Sequence, residues 1–273
     1  MRFADLHLHT FFSDGSYSPS ELVQESRKSG LYAISIVDHD NVEGIEPASI
    51  ISKEYGIEVL SGIELSAEYE NAEIHILGYL IDYKNTTLLQ ELASLRKNRV
   101  ERIYKITDKL EELGVHIDPK DIFAMSGGGT VGRLHVARAM VKENIVSSVA
   151  EAFARFIGDD KPAYVLGFKF SPSEAITLIK QAGGVPVLAH PYTVVKDDML
   201  FKLISQGIMG LEVYYPEHTQ SMVNFYRDIA DRHGLLITGG SDCHGLAKPE
   251  IRIGSVKIPY ELVERIKEAK AKI

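Results

Sequence analysis

Near its N-terminus the chain reads Asp5-Leu6-His7-Leu8-His9-Thr10. Leu6 and Leu8 alternate with His7 and His9, which is the two-residue period of a short β-strand. Both imidazoles therefore leave the same face, where they can bind one divalent metal ion if carboxylates or further histidines converge on them. Paired histidines on a strand are also compatible with an ordinary solvated face, so the pair alone leaves both interpretations open.

The composition is that of an ordinary globular protein, with 273 residues of which 45% are hydrophobic and 25% charged. This length is enough for one large α/β domain or two smaller ones. A formal net charge of -8 argues against a protein that coats long nucleic acid, because that mode needs lysine and arginine to neutralise phosphates. A small anionic substrate attracted by bound metal stays compatible with the charge.

The single cysteine, Cys243, excludes an intramolecular disulfide and is typical of a reducing compartment. Residues 1–10 lack a basic region followed by an apolar run, so we expect no signal peptide. No apolar segment approaches the roughly 20 residues that a membrane helix needs. We therefore expect a cytoplasmic protein with no membrane partner.

Short apolar runs alternate with amphipathic stretches along most of the chain. Ser18-Pro19-Ser20-Glu21 predicts a helix start with a capping box, and Gly30 the end of that helix. Strands are predicted at 3–8, 32–37, 57–65, 73–80, 185–189, 210–214, 235–238 and 253–258. A turn at Asn71 predicts a hairpin-like interruption between the third and the fourth of them. Repeated β-α units predict a mostly parallel sheet in an α/β protein, and their number favours a closed or distorted barrel over an open doubly wound sheet. No G-x-G-x-x-G follows the first strand, which argues against a dinucleotide-binding fold.

The alternation stops after Tyr83 and resumes near residue 166. From Thr86 to Leu113 apolar residues recur at helical spacing, and the chain stays mostly helical to Phe156 apart from the glycine run at 126–129. This pattern predicts a barrel domain of residues 1–83 and 166–273, interrupted by a helical insertion of residues 84–165.

Metal-binding side chains follow the predicted strands. They are His7, His9 and Asp14, then Asp38-His39-Asp40, Glu64, His75 and His190, and finally Asp242-Cys243-His244. Taken singly, each histidine could be a hydrogen-bonded structural residue and Asp14 a turn residue. Because the carboxyl ends of parallel barrel strands meet at one face, we expect these side chains to converge there. Imidazoles and carboxylates together suit Zn, Mn or Fe.

These motifs resemble the PHP family, named for polymerase and histidinol phosphatase. The matching segments are Asp5–Thr10, Asp38–Asp40, Gly62–Glu64, His75, Ala189–Pro191 and Ser241–His244. They occur at both ends of the chain and in the family's order. The resemblance implies a distorted (β/α)7 TIM-like barrel with a metal cluster at the carboxyl ends of its strands.

The resemblance also implies nine ligands for two or three divalent ions. The first ion would be bound by His7, His9, Glu64 and Asp242, the second by Glu64, His75 and His190, and the third by Asp14, His39 and His244. Many relatives with three ions have histidine where this chain has Asp14. A carboxylate there favours Mn²⁺ or Fe²⁺ at the third site.

Two segments of the insertion resemble a branch of PHP nucleotide phosphatases that act on 3′,5′-bisphosphonucleosides and on short RNA 5′ ends. These segments are Arg133–Ala137 and Lys161–Tyr164. The resemblance implies that the insertion caps the active site, that Arg133 binds a substrate phosphate, and that His135, Lys161 and Tyr164 also contact substrate. A surface role for Arg133 and a packing role for His135 stay open. The basic run from Arg96 to Lys105 is interpreted as a solvated helix face rather than an RNA track.

The expected function is hydrolysis of phosphomonoesters of small nucleotides such as pAp, or of short RNA 5′ ends, by a metal-activated water. No serine or cysteine nucleophile is then needed, and Cys243 is expected to be a small buried side chain. His190 and His244 could protonate the leaving group, although both are better placed as ligands. The alternatives are a histidinol-phosphate-type or other small-molecule phosphatase, and a non-catalytic metal-binding PHP scaffold.

Overall fold

The computed structural model describes residues 1–70, 72–126, 129–167, 170–193 and 197–273. In chain order its elements are β1 (Phe3–Leu8), α1 (Pro19–Lys28), β2 (Ala33–Ile36), α2 (Ile45–Tyr55), β3 (Glu58–Tyr69), β4 (Ala72–Tyr79), α3 (Thr86–Glu112), α4 (Pro119–Met125), α5 (Arg133–Lys142), α6 (Val149–Ala152), α7 (Pro172–Gln181), β5 (Val185–Leu188), α8 (Asp197–Ser205), β6 (Gly210–Tyr214), α9 (Gln220–His233), β7 (Leu236–Gly239), β8 (Ile258–Pro259) and α10 (Tyr260–Lys270). A π-helical turn, Phe153–Ile157, follows α6. The predicted glycine run lies partly outside the described residues, at Gly127 and Gly128.

Capping side chains fix the starts of the barrel helices. At α1, Ser18 and Glu21 form the predicted capping box, and Ser171 with Glu174 repeats it at α7. Each box satisfies backbone N–H groups that the first helical turn cannot pair internally. No helix in the described part of the chain is long and apolar enough to cross a membrane.

The eight strands form one sheet in the order β7-β6-β5-β4-β3-β2-β1-β8. Neighbours are parallel from β1 to β3 and from β5 to β7. The sheet curls until the segment after β7 meets β1, where Leu8 and Cys243 form a parallel bridge and His9 N donates to Cys243 O at 3.1 Å. The predicted α/β barrel is confirmed as a nearly closed one.

The antiparallel pair of β3 and β4 is the predicted hairpin, and two other details, the place of His75 and the last strand, differ from prediction. β4 runs antiparallel to both β3 and β5, so His75 lies in the first half of a strand rather than at a carboxyl end. The strand predicted at 253–258 is wrong, since only Ile258 and Pro259 pair, antiparallel to β1. Gly254 has a φ of 72°, in the left-handed region, and this turns the chain before it can extend.

The elements α3 to α6, called the helical segment below, lie between β4 and α7 in the chain. The apolar core continues from the barrel into this segment through α3. Leu88, Leu92 and Leu95 belong to the main core around β3, β4 and α7. Ile103, Ile106 and Leu110 belong to a second core formed with α4, α5 and α6. One helix thereby fixes the helical segment against the barrel. The domain boundaries at 83 and 166 stay a prediction.

Candidate metal centre and active-site cavity

His7 and His9 lie side by side at the end of β1. Both side chains are fully buried, and their Nε2 atoms are 3.1 Å apart. His7 Nδ1 lies 2.8 Å from Oε1 of the buried Glu212, so the other ring nitrogen faces His9. The two-residue period of the strand thus places both rings on the same face, close enough to bind one ion.

Glu64 is the centre of the cluster. Its side chain is buried in β3, with one oxygen toward β1 and the other toward β4. Five imidazoles have a nitrogen within 3.3 Å of this carboxylate, those of His7, His9, His39, His75 and His190. The antiparallel direction of β4 is what brings His75 to the same rim as the ends of the parallel strands. Glu64 therefore has the position that a bridging ligand needs.

His190 and Asp242 occupy the loops after β5 and β7 in strained backbone conformations, with φ of 25° and 54°. Asp242 Oδ1 is 3.1 Å from His9 Nε2. The other oxygen, Oδ2, accepts hydrogen bonds from Tyr215 OH at 2.8 Å and Lys248 Nζ at 3.0 Å. Tyr215 and Lys248 therefore orient Asp242, and no sequence motif pointed to either of them.

Asp14 belongs to a further group of candidate ligands, beside His244, His9 and His39. Its Oδ1 lies 3.2 Å from His244 Nε2 and 4.0 Å from both His9 Nδ1 and His39 Nε2. Three overlapping sets each offer ligand atoms within 4.8 Å of one another, namely His9, Asp14, His39 and His244; His7, His9 and Asp242; and His39, Glu64 and His75. His9 and His39 are each shared between two sets, which differs from the partition implied by the resemblance.

Charges in this cluster are strongly coupled. Burial would raise the carboxyl pKa values, but the surrounding imidazoles hold three of them well below the ordinary range, those of Asp14, Glu64 and Asp242. Burial lowers the pKa of His9, yet its hydrogen bonds to Asp242 and Glu64 raise it to about 9. For His75, attraction to Glu64 likewise outweighs burial and raises the pKa to about 10. His39 behaves oppositely, because burial lowers its pKa to about 4.

The cluster fits a divalent cation. His9 Nδ1, His39 Nδ1 and Asp14 Oδ1 are buried without a hydrogen-bond partner, which is uncommon for polar atoms in a folded protein. The three carboxylates are ionised, and a cation would take the place of the protons that His9 and His75 otherwise hold. Imidazole and carboxylate donors without thiolate match Zn, Mn or Fe.

Glu212 was not predicted and contacts two candidate ligands at once. It is fully buried in β6; Oε1 lies 2.8 Å from His7 Nδ1, and Oε2 accepts the His190 backbone N–H at 2.8 Å. A carboxylate behind an imidazole fixes which ring nitrogen carries the proton. Alternation along Gly210–Tyr214 gave no sign of it, because an inward polar residue in a short strand looks the same in sequence as an outward one.

The two motif aspartates Asp5 and Asp38 lie behind the cluster instead of in it. Asp5 accepts from Ser241 N at 2.9 Å and Oγ at 2.6 Å, and from Gly254 N at 2.9 Å, which joins β1 to the loops around β8. Asp38 accepts from Thr10 Oγ1 at 2.6 Å and fixes the loop after β1. Their conformational role explains why carboxylates occur in these motifs without being candidate ligands.

A cavity of about 220 Å³ lies between the candidate ligands and the helical segment. The barrel side of its wall includes Asp14, His39, His75, Ser66 and Glu73, and the helical side includes Arg99, Arg102, Thr130, Arg133 and His135. Acidic and imidazole groups therefore face guanidinium groups across one space.

Of the four predicted substrate residues, two lie in the cavity wall and two lie outside it. Arg133 lines the cavity, donates to Asp159 at 2.7 Å and lies 3.6 Å from Glu73. His135 also lines it; its Nδ1 accepts from Gly132 N at 3.1 Å, so Nε2 carries the proton and can donate. Tyr164 lies outside the wall, with its ring 5.4 Å from the Arg133 guanidinium carbon. Lys161 is exposed and is not among the residues of this wall.

The solvated-face interpretation of the run from Arg96 to Lys105 is wrong for two residues. Arg96 and Lys105 are exposed, but Arg99 pairs with Asp40 and Ser66, and Arg102 is buried. The sequence contained the signal. Leu95, Arg99, Arg102 and Ile106 follow helical spacing, so two arginines continue the apolar stripe that packs inward.

Cys243 is buried, and burial raises the pKa of its thiol. Its Sγ lies 3.3 Å from Ile251 O, on the side of the small core around α1 and α2. These facts agree with the predicted small buried side chain and give no support for a nucleophile.

The comparisons with known proteins agree with this geometry. The PHP domain family profile matches residues 5–163. A 5′-3′ exoribonuclease of Haemophilus influenzae is 39% identical over 190 residues, 68% of each chain. A 3′,5′-nucleoside bisphosphate phosphatase of Chromobacterium violaceum is 30% identical over 247 residues, 88% of this chain and 86% of the relative.

A solved structure from Bifidobacterium adolescentis, assigned to a metal-dependent phosphoesterase, has the same architecture. It superposes with a TM-score of 0.88 at 33% identity and covers 96% of this chain and 94% of its own. The similarity therefore extends over the barrel and the helical segment together.

Proposed function

This chain belongs to the PHP domain family, and we propose that it hydrolyses phosphomonoesters of small nucleotides, such as 3′,5′-bisphosphonucleosides (pAp) or the 5′ ends of short RNA. One observation carries the proposal: the Glu64 carboxylate contacts five imidazoles beside an arginine-lined cavity. The names of the relatives from Haemophilus influenzae and Chromobacterium violaceum support a nucleotide phosphate as substrate. Cys243, the single cysteine, is typical of a reducing compartment and supports the cytoplasm as location.

Two or three divalent ions, Mn, Fe or Zn, fit the cluster. The proposed ligands are His7, His9, Asp14, His39, Glu64, His75, His190, Asp242 and His244. When bound, such ions lower the pKa of a coordinated water and attract phosphoryl oxygens. This supplies the nucleophile without a reactive serine or cysteine.

The chain's own residues position the reactants. Arg133 offers a planar fork of donors to a phosphate and would exchange its contact with Asp159 for one with substrate. His135 offers its Nε2–H from the same helix start. His244 Nδ1 lies 2.8 Å from the backbone oxygen of Asp242 and so directs Nε2 toward Asp14. This orientation supports a ligand role for His244 over the role of a free proton donor.

The test is elemental analysis of the purified protein, followed by phosphate release from pAp, short 5′-phosphorylated RNA and histidinol phosphate with the identified metal restored. We expect turnover that chelator abolishes and that is fastest with a nucleotide. Hydrolysis that survives chelation would contradict the metal mechanism. Faster release from histidinol phosphate would replace the nucleotide assignment by the small-molecule alternative, and metal content without any turnover would favour the scaffold.

A matched pair of variants tests the ligands. His75→Ala removes an imidazole 3.0 Å from Glu64, whereas His116→Ala removes an exposed one in the helical segment. We expect His75→Ala to lose metal and activity together and His116→Ala to keep both. Equal metal content in the two variants would remove His75 from the site.

A further inference from the structure

Tyr192 is an exposed aromatic residue next to a proposed metal ligand. It lies on the 3-10 helical turn Pro191–Thr193, two residues after His190, and 38% of it is exposed. Thr193 N donates to His190 O at 3.1 Å, which closes this turn directly after the ligand. The position of Tyr192 is thus fixed relative to the His190 imidazole.

Buried rings support the Tyr192 side chain. The Tyr215 ring lies 5.6 Å from it, centroid to centroid, and the His218 ring lies 5.5 Å from it in an edge-on arrangement. Both supporting residues are buried, and the Tyr226 ring packs against that of His218 at 5.0 Å. A tyrosine ring held in this way loses little conformational entropy when a ligand covers its exposed part.

Tyr215 also connects Tyr192 to the candidate metal centre. The Tyr215 ring lies 5.4 Å from the His190 ring, and its hydroxyl donates to Asp242 Oδ2 at 2.8 Å. Burial raises the pKa of Tyr192, while a hydrogen bond to Tyr215 works in the opposite direction. Tyr192 therefore lies one ring away from two proposed ligands, and it is not among the residues that line the cavity with the arginines.

We propose that the exposed ring of Tyr192 stacks against the nucleobase of the substrate while a phosphate of the same nucleotide lies at the candidate metal centre. A nucleotide has a ribose between its phosphate and its base, and Tyr192 correspondingly lies one ring away from the proposed ligands. Stacking on a tyrosine tolerates all bases, because each base has a π face, so we expect recognition of a base without selection among bases. The proposal rests on the proposed function and makes it more specific, because a sugar phosphate has no planar ring to stack.

The kinetic test compares Tyr192→Ala with Phe225→Ala, a control at an exposed aromatic residue of α9 whose ring lies 5.3 Å from that of Tyr226. Each variant is assayed in Mn²⁺ with pAp and with its abasic analogue, in which hydrogen replaces adenine. We expect Tyr192→Ala to lower kcat/KM for pAp roughly 10- to 100-fold and for the abasic analogue less than about threefold, and Phe225→Ala to lower neither. Equal losses of Tyr192→Ala on the two substrates, or no loss on pAp, would overturn the stacking role.

Two further variants separate the ring of Tyr192 from its hydroxyl and from its bulk. Tyr192→Phe keeps the ring and removes the hydroxyl, whereas Tyr192→Leu keeps apolar bulk against Tyr215 and removes the ring. We expect both variants to keep the metal content of the parent, Tyr192→Phe to keep the ratio of kcat/KM for pAp over the abasic analogue, and Tyr192→Leu to lose this ratio. A Tyr192→Leu protein with the parent ratio, a Tyr192→Phe protein that has lost it, or loss of metal from either would overturn stacking.

Binding separates the failure of this base subsite from the failure of the proposed function. Calorimetric titration of pAp and of the abasic analogue into the chain in the presence of chelator requires no turnover. We expect the parent to bind pAp at least about tenfold more tightly than the abasic analogue, and Tyr192→Ala to bind the two within about threefold of each other. Equal affinities of the parent for the two compounds would overturn the subsite even if phosphate release is fast. A preference for pAp that Tyr192→Ala lacks, in a protein that hydrolyses no phosphoester, would leave the subsite standing and sink the proposed activity.

Discussion

Replacing Glu212 by glutamine is expected to weaken metal binding although Glu212 is not itself a proposed ligand. The carboxylate uses one oxygen toward His7 Nδ1 and the other toward the His190 backbone N–H, both at 2.8 Å. Glutamine offers one oxygen and one NH2 group in the same volume. If the NH2 group faces the His190 backbone N–H, that contact becomes donor against donor; if it faces His7, the ring can accept it only by giving up the proton on Nδ1.

The size of the effect follows from burial. Glu212 is fully buried, so water cannot replace the lost acceptor, and the unsatisfied pair costs about 1–3 kcal/mol of unfolding free energy. For a chain of this size that is a fall of roughly 2–12 °C in melting temperature. If the amide NH2 faces His7, the ring proton moves to Nε2, the nitrogen that points at His9. Metal affinity is then expected to fall roughly 10- to 100-fold.

The assay is metal content after equilibration with limiting Mn²⁺, together with the melting temperature with and without the ion. Glu217→Gln, an exposed glutamate on the loop after β6, serves as the control. A Glu212→Gln protein with unchanged metal affinity and unchanged melting temperature would refute the assignment. A lowered melting temperature with normal metal affinity would confine Glu212 to a structural role.

Four further outcomes follow from the same geometry. Chelation is expected to abolish phosphate release and lower the melting temperature, both restored by Mn²⁺ and measured in one titration. The pKa values of His9 and His75 are raised to about 9 and about 10, so their protonation stabilises the metal-free chain. This contribution is complete below pH about 6.5 and is lost as the pH rises through the two raised pKa values. Because metal displaces the protons, its affinity, measured by calorimetry, should be higher at pH 8.5 than at pH 6. Arg133→Ala is expected to raise KM while metal content stays constant; lost metal would make it structural. Gly240→Ala would place a Cβ 2.3 Å from His7 N and should cost about 1–3 kcal/mol in chemical denaturation, and an unchanged midpoint would contradict the close approach.

The barrel and the cluster could be predicted because both depend on short-range signals. Ser18 and Glu21 define a helix start within four residues, and His7 and His9 define a face within three. Parallel strands then bring separate loops to one rim of the barrel, so the proximity of Glu64 and His190 could be predicted from the order of the strands alone. The turn at Asn71, a residue outside the described ones, predicted a hairpin between the strands at 57–65 and 73–80, because parallel strands need a much longer connection. The antiparallel pairing of β3 with β4 confirms the hairpin. The sequence did not indicate that β4 also pairs antiparallel with β5.

Arg102 and Glu212 were missed for a different reason. Each belongs to an ordinary-looking element, and its importance depends on what lies opposite after folding. The helical spacing that places Arg99 and Arg102 in line with the apolar stripe was visible in the sequence, but spacing does not tell whether an inward arginine pairs with a carboxylate. Arg99 pairs with Asp40, whereas no carboxylate of the described residues forms an ion pair with Arg102, and this difference depends on contacts between distant segments.

The β3–β4 hairpin connects the candidate metal centre to the helical segment. Glu64 lies in β3, and the antiparallel return carries His75 and Glu73 over the same rim. Glu73 Oε1 is 3.2 Å from His75 Nε2, and its Oε2 is 3.6 Å from Arg133 Nη2. One carboxylate thus joins a proposed metal ligand to a proposed phosphate ligand. A phosphate that binds Arg133 must compete with Glu73, and any shift of Glu73 changes the contact that holds the His75 ring. If Arg133 and His75 have the proposed roles, Glu73 links substrate binding to metal coordination through two residues of one strand, which a parallel β4 would not provide.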